Sequence, residues 1–233
     1  MKKIICSLLA ILMLLSLCAC GSTSDSTDIR GEIIGGNTVP VETDPVETES
    51  PEKEPAFSFG KAANNTYKND FLGIGCTLPE DWAFYSEQQI LEMNNIVGEY
   101  LDEDAAMLMA NANIIYDMMA IKESDGSSVS VNLEKLTAAQ LDALDVKALL
   151  ETQIEIIETA YANMGYSDVQ IVYEKVTVDG KEFDSLYITA NIQGVSFYTT
   201  AFAFPKGDYL ANVSVGSMGE DNIATYLSYF TID

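Results

Sequence analysis

Cys18 and Cys20 stand two positions apart in the stretch LCACGSTS, residues 17–24. Two thiols at such spacing could form a redox pair or half of a metal site. The rest of the chain offers little to complete either. It contains no histidine, and its single arginine is Arg30. Histidine is the usual general base near neutral pH and the commonest metal ligand. Without it, Ser-His-Asp and Cys-His nucleophiles and His-zinc sites are all excluded. With one arginine near the N-terminus, the bidentate fork that grips phosphates and carboxylates is missing as well.

The surroundings of the cysteine pair give it another meaning. Met1-Lys2-Lys3 is a short basic start, and Ile4 to Leu17 is almost unbroken apolar residues. That run is shorter than the roughly 20 residues a permanent spanning helix needs, and it has the layout of a secretory signal. Leu17-Cys18-Ala19-Cys20 resembles a bacterial lipobox. The resemblance implies cleavage before Cys20, a diacylglyceryl group on the Cys20 thiol, and Leu17, Cys18 and Ala19 as recognition positions that leave with the signal peptide. Multiple acyl chains on one residue hold a protein stably on a bilayer. The lipid bilayer is then the first expected partner, and the location is the extracytoplasmic face of the cell membrane. Gly21 follows the cysteine; in such lipoproteins an Asp there signals inner-membrane retention.

With Cys20 lipidated, Cys76 is the remaining free thiol, and no internal disulfide can form. The formal net charge is −24, and loss of the two leading lysines makes the mature chain more acidic still. Such a surface repels nucleic acid and anionic membrane. It serves solubility, or it attracts cations, cationic peptides or a basic partner.

Other residue types in the chain could also do chemistry. Cys76 alternates with Ile74 and Leu78, which places it inside as a small hydrophobe. Trp82 reads either as a cap on the core or as an aromatic platform. Tyr166, Tyr187 and Tyr209 are candidates to join Trp82 on a possible ligand surface. Asp102-Glu103-Asp104 could attract calcium, but it lacks the glycine and closing glutamate of an EF-hand loop. Seven methionines in the domain fit gap-filling in a core. No GxSxG elbow, Gly-rich phosphate loop or zinc spacing appears, and no cofactor or metal site is expected.

The elements that must position these residues follow from punctuation and period. Residues 1–19 form the signal peptide. Residues 20–60 form an acidic Pro/Thr/Ser tether, containing PVETDPVETESP (40–51), too polar to bury a core. Residues 61–233 form one domain. Within it, NTYKN and GIGCTL predict two short strands. Ser86 and Gln89 predict a capping box for a helix bearing Ile90, Met93, Val97, Tyr100 and Leu101. A second helical stretch is expected through about Ala112. Asp125-Gly126 marks a hairpin turn. A long helix follows from about Asp145 to Met164. Four strands come next, over 169–178, 182–192, 195–205 and 209–217, and a short helix from about Glu220 to Tyr229 ends the chain. VSFYTTAFAF is bulky on both faces, so its strand is central and covered on both sides.

YKNDFLGIGCTLPEDWAF resembles the opening of PsbP-like domains, and the later order of elements is similar, over about residues 65–233. The resemblance implies an α+β fold: a mostly antiparallel sheet of about six strands covered by helices on both faces, an α/β/α sandwich. That family shares no common activity, so no catalytic residue carries over. The expected function is therefore a membrane-anchored extracytoplasmic lipoprotein of non-catalytic binding or accessory type, with an envelope protein or small ligand as partner. The alternative is a small cell-envelope hydrolase using carboxylates or a Ser-Lys pair.

Overall fold

The computed structural model describes residues 57–94 and 114–233. Tight turns set the strand order. Asn64-Asn65, Asp179-Gly180 and Gln193-Gly194 hold positive φ at both residues, the geometry whose twist matches that of paired strands. They join β1 (Lys61–Ala63) to β2 (Thr66–Asn69), β7 (Ser167–Val178) to β8 (Lys181–Ile192), and β8 to β9 (Val195–Lys206). The remaining strands are β3 (Ile74–Thr77), β4 (Trp82–Phe84), β5 (Ile114–Lys122), β6 (Ser128–Lys135), β10 (Tyr209–Met218) and β11 (Phe230–Ile232).

These strands build two antiparallel sheets in an α+β fold. A four-stranded sheet runs β1-β2-β3-β11, and a seven-stranded sheet runs β4-β5-β6-β10-β9-β8-β7. The single sheet of about six strands expected from sequence is thus replaced by two. β1, β2 and β3 pair with one another and not with the larger sheet, and the C-terminal β11 completes their sheet. Phe230 and Ile232 pair with Cys76 and Ile74, a return strand of three residues that carries too few alternations to be read in advance.

Among the described residues four helices accompany the sheets. α1 (Glu87–Met93) starts at Ser86 with the expected capping box, in which the Ser86 side chain accepts from the Gln89 N–H. Thr137 and Gln140 repeat the device at α2 (Ala138–Asp142), a helix the sequence reading did not anticipate. α3 (Val146–Asn163) is capped by Asp145, which accepts from the Ala148 N–H at 3.0 Å. α4 is Ile223–Leu227.

The large sheet is covered on both faces, by different layers. On one face Leu150, Ile157 and Tyr161 of α3 pack with Leu186, Ile188, Phe197 and Leu210. On the other, Tyr67, Ile74, Cys76, Phe230 and Ile232 of the small sheet and Tyr226 of α4 pack with Val131, Phe202, Val213 and Val215. The second cover is therefore mainly a sheet, not the helical layer expected. β10 is the middle strand of seven and buried over nearly its whole length; its neighbour β9 carries Phe202 to one core and Phe197 to the other. Packing begins before residue 61, since the Phe57 ring lies 5.3 Å from Phe71 and 5.1 Å from Tyr209.

Candidate functional site

The α3 face of the large sheet is not uniformly apolar. β6 reads Ser-Val-Ser-Val-Asn-Leu-Glu-Lys, so Val129, Val131 and Leu133 point to the small sheet. Ser128, Ser130, Asn132 and Glu134 consequently point to the opposite face. β10 continues the pattern in register: Asn212 stands opposite Asn132, and Ser214 opposite Ser130. On the far side of β6, Tyr116 stands opposite Asn132 and Met119 opposite Ser130. Beyond β10, the partners of Asn212 and Ser214 are Ala203 and Ala201. A polar row with a floor of small side chains thus crosses the middle of the sheet, on the face that α3 packs against.

These polar groups are buried. Relative exposure is 1% for Ser130 and Asn132, 3% for Glu134, 6% for Asn212 and 0% for Gln153, which lies on the sheet-facing side of α3 between Leu150 and Ile157. Ser130 Oγ, Asn132 Oδ1, Glu134 Oε2, Asn212 Oδ1 and both amide atoms of Gln153 have no hydrogen-bond partner. Most buried polar atoms in native proteins are paired, and each orphan costs about 1–3 kcal/mol. Burial without a compensating charge pushes the Glu134 carboxyl up to about 7, so near neutral pH a large fraction carries its proton. The row therefore presents several oxygens able to accept hydrogen bonds, with one acid among them and no lysine.

The sheet edge beside this row is finished by side chains. β4 pairs with β5 from Ala120 to Lys122, and the Tyr85 N–H extends that edge by donating to the Met119 carbonyl at 2.8 Å. Asn94, at the end of α1, fills the next position: its amide donates to the Tyr116 carbonyl and accepts from the Tyr116 N–H, both at 2.7 Å. Between them β5 bulges at Asp117. The bulge turns Asp117 toward the small sheet, where it accepts from Gly60 N–H at 2.8 Å, Asn69 Nδ2 at 2.8 Å and the Tyr67 hydroxyl. Burial raises the Asp117 carboxyl against those three donors.

A cavity of about 230 Å³ lies along this edge, walled by Phe59, Ile90, Leu91, Met118 and Met119, with Asp117 in its lining. It is mostly apolar. Its one buried acid is committed to three internal donors, so the cavity offers volume and little chemistry. Met119 is common to the cavity and the polar row.

The residues singled out in the sequence are placed as follows. Leu17, Cys18, Ala19 and Cys20 lie outside the described residues, as do Asp102-Glu103-Asp104 and the helix expected around them. Trp82 is buried, its ring edge-on to Tyr226 at 5.0 Å. Tyr166 is buried against Tyr161 and Phe197, and Tyr209 against Phe57 and Phe71. Neither tyrosine reaches the surface as expected, because each completes a ring cluster at an end of the sheet. Tyr187 is half-buried and donates to Asp221 at 2.6 Å. Tyr187 packs with the small-sheet core and Tyr166 with the α3 core, so the four rings sit on different faces and do not converge. Cys76 is buried, and burial pushes its thiol up to about 12.

The polar row was missed because alternating Ser and Asn on a strand reads as a solvent face. The available signal was a coincidence between distant segments: SVSVNLE and YLANVSVG both alternate small polar with aliphatic residues. Only the pairing of β6 with β10 shows that the polar faces coincide.

Among the described residues no helix is long and apolar enough to cross a membrane, and no group of three or more Cys, Asp or Glu could hold a metal ion. No protein-family model matches the chain, and no curated protein does. Among solved structures it is similar to LpqN of Mycobacterium tuberculosis, a protein involved in cell envelope biogenesis. The TM-score is 0.36 and the identity 12%, over 66% of this chain and 75% of that one. A superposition that loose carries no argument about activity.

Proposed function

We propose that this protein is a lipid-anchored, extracytoplasmic lipoprotein whose domain is a non-catalytic binding module. The observation that carries the binding half is the buried row of unpaired oxygens on Ser130, Asn132, Glu134 and Asn212. Together these orphans cost the fold on the order of several kcal/mol. Such a cost is tolerated where a function needs the groups free to bond to something else.

The same row argues against the hydrolase alternative. Carboxylate-pair hydrolysis needs two acids roughly 5–10 Å apart, flanking the scissile bond. Among the described residues the buried acids are Asp117 and Glu134, and the bulge turns Asp117 away to three internal donors. A Ser-Lys pair needs a lysine beside a serine, and the positions facing Ser130 are Met119 and Ser214. The row's chemistry supports the binding reading over the hydrolase one.

The anchoring half rests on Leu17-Cys18-Ala19-Cys20 behind the apolar run from Ile4. Its test is a Cys20→Ala variant expressed beside the parent with a radiolabelled or alkyne-tagged fatty acid. The parent is expected in the membrane fraction with label, and the variant without label and lost from the lipidated pool. Equal labelling of the two sinks the anchor assignment. The binding half is tested separately, by ligand titration of the polar row.

A further inference from the structure

The seven-stranded sheet treats its two edges differently. At one edge β4 is three residues long, and the Tyr85 N–H and the Asn94 amide carry the hydrogen bonding on along β5. At the other, β7 runs for twelve residues and pairs with β8 alone. Its register is unbroken from Gln170 to Val178, roughly 30 Å of strand. Among the described residues nothing outside β8 hydrogen-bonds to the main chain of 170–178. The N–H and C=O groups that point away from β8 therefore form an open ladder, ready to pair with another strand.

Native edges are usually blunted by proline, by bulges or by free lysines. QIVYEKVTV, residues 170–178, has no proline and no bulge. Its one lysine, Lys175, is held by Glu182 at 3.7 Å. Ile171 and Tyr173 pack with the α3 core, and Val176 and Val178 with the small-sheet core. Between them Val172 is 54% exposed, beside Tyr187 on β8. A strand added at this edge covers Val172 as it pairs.

Charge decides what kind of strand fits. On the α3 face the Tyr173 hydroxyl donates to Asp184; that bond, with the charges of Glu151 and Asp145 nearby, pushes the hydroxyl up to about 12. On the opposite face burial and the bond to Asp221 raise the Tyr187 hydroxyl, and the charge of Glu174 adds to them. The neighbouring lysines, Lys147 and Lys175, already pair with Glu151 and Glu182. Among the described residues no lysine pairs with Asp145, Glu174, Asp184 or Asp221. A second copy of this chain would bring those same acids together across the edge, on molecules whose formal charge is −24 each, and like charges oppose such pairing. A basic segment meets them with opposite charge.

We infer that the β7 edge from Gln170 to Val178 takes an extended, lysine- or arginine-rich segment of another protein as an eighth strand of the large sheet. The polar row, on β6 and β10, plays no part in this, so failure here leaves the reading of that row untouched.

The full chain, held in a polyoxyethylene detergent, is titrated with dye-labelled octapeptides and read by fluorescence anisotropy. One peptide alternates lysine and valine, one carries glutamate in place of each lysine, and one keeps the lysines but is N-methylated throughout, so that it has no amide donors. The first is expected to bind saturably, and the other two at least about tenfold more weakly. Amide exchange in β7 is expected to slow in its presence more than exchange in β9 or β10. The double variant Val172→Lys/Glu174→Lys, at two exposed positions, is expected to keep the parent's urea midpoint and to weaken the peptide about tenfold. The N-methylated comparison needs no variant and decides the matter if the double substitution misfolds. No saturable binding of the lysine-valine peptide overturns the proposal. Equal binding of the N-methylated peptide also overturns it, because the contact is then adsorption of charge without strand pairing. Slow exchange of β7 without peptide, together with a dimeric mass, gives the edge to a second copy and overturns the basic partner.

Discussion

The Tyr67 hydroxyl donates to the Asp117 carboxylate, joining two residues 50 positions apart and two different sheets. Asp117 also holds the Gly60 N–H and the Asn69 amide, so one carboxylate at a bulge ties the incoming chain and β2 to β5. Removing it takes the acceptor from the buried Tyr67 hydroxyl and the part-buried Gly60 N–H, and leaves the Asn69 amide only the Ser58 carbonyl. Asp117→Ala is expected to destabilise the domain by about 3–5 kcal/mol. Tyr67→Phe, which removes one donor and leaves the carboxylate two, is expected to cost about 1–2 kcal/mol. Urea unfolding followed by the buried Trp82 reads both. Equal midpoints for Asp117→Ala and the parent contradict the tie.

The same site is sensitive to a single methyl group. A Cβ at Gly60 would run into the Tyr67 ring and lie 2.9 Å from Asp117 Oδ2. Gly60→Ala is therefore expected to destabilise by about 1–3 kcal/mol through overpacking, although alanine normally stabilises a flexible position. A midpoint at or above that of the parent excludes this close packing.

Glu134 gives stability a pH dependence of definite sign. Its ordinary value is 4.5, and burial raises it to about 7. Between those values the native state holds more protons than the unfolded chain, so stability falls as pH rises. The contribution is fully present below about 4.5 and gone above about 7, and it spans on the order of 3 kcal/mol. Other carboxylates repel one another over the same range, so the diagnostic is a comparison. Glu134→Gln is expected to flatten the decline between pH 5 and 7. Parallel curves for variant and parent place the Glu134 carboxyl in water.

How far the sequence led depended on the range of the interaction. The capping box at Ser86, the helix from Asp145 and the hairpin at Asp179-Gly180 are written in residues within four positions of each other, and all were legible. β11 and the polar row depend on pairings between Phe230 and Cys76 and between Asn212 and Asn132, separations that no local period encodes. Aromatic exposure failed for a related reason. Tyr166 and Tyr209 sit at strand ends, where a hydroxyl usually reaches water, yet Phe197 and Phe57 come from elsewhere to cover their rings.

Asn94 shows how a side chain can stand in for a strand. Its amide makes both hydrogen bonds that a neighbouring residue would make to Tyr116. Asn94→Ala removes both of those hydrogen bonds at a partly buried edge, and about 1–3 kcal/mol of stability is expected to go with them. The loss is local, so amide exchange at Tyr116 is expected to accelerate more than exchange in β9 or β10. Uniform acceleration across the sheet points instead to general destabilisation.

Thiol chemistry connects the fold to the proposed anchor. Cys76 is enclosed between Tyr67 and Phe230 in the sheet register, and burial pushes its thiol up to about 12. A buried, protonated thiol is a poor nucleophile. If Cys20 is acylated and Cys6 and Cys18 leave with the signal peptide, the folded mature protein has no thiol that a maleimide can reach. The expected count is no modified cysteine under native conditions and one after denaturation, measured by intact mass. Native labelling that maps to Cys76 means the small sheet opens readily. Additional labelled cysteines at positions 18 and 20 mean the peptide was retained and the lipid never attached, and the opening pair regains its claim to redox or metal chemistry.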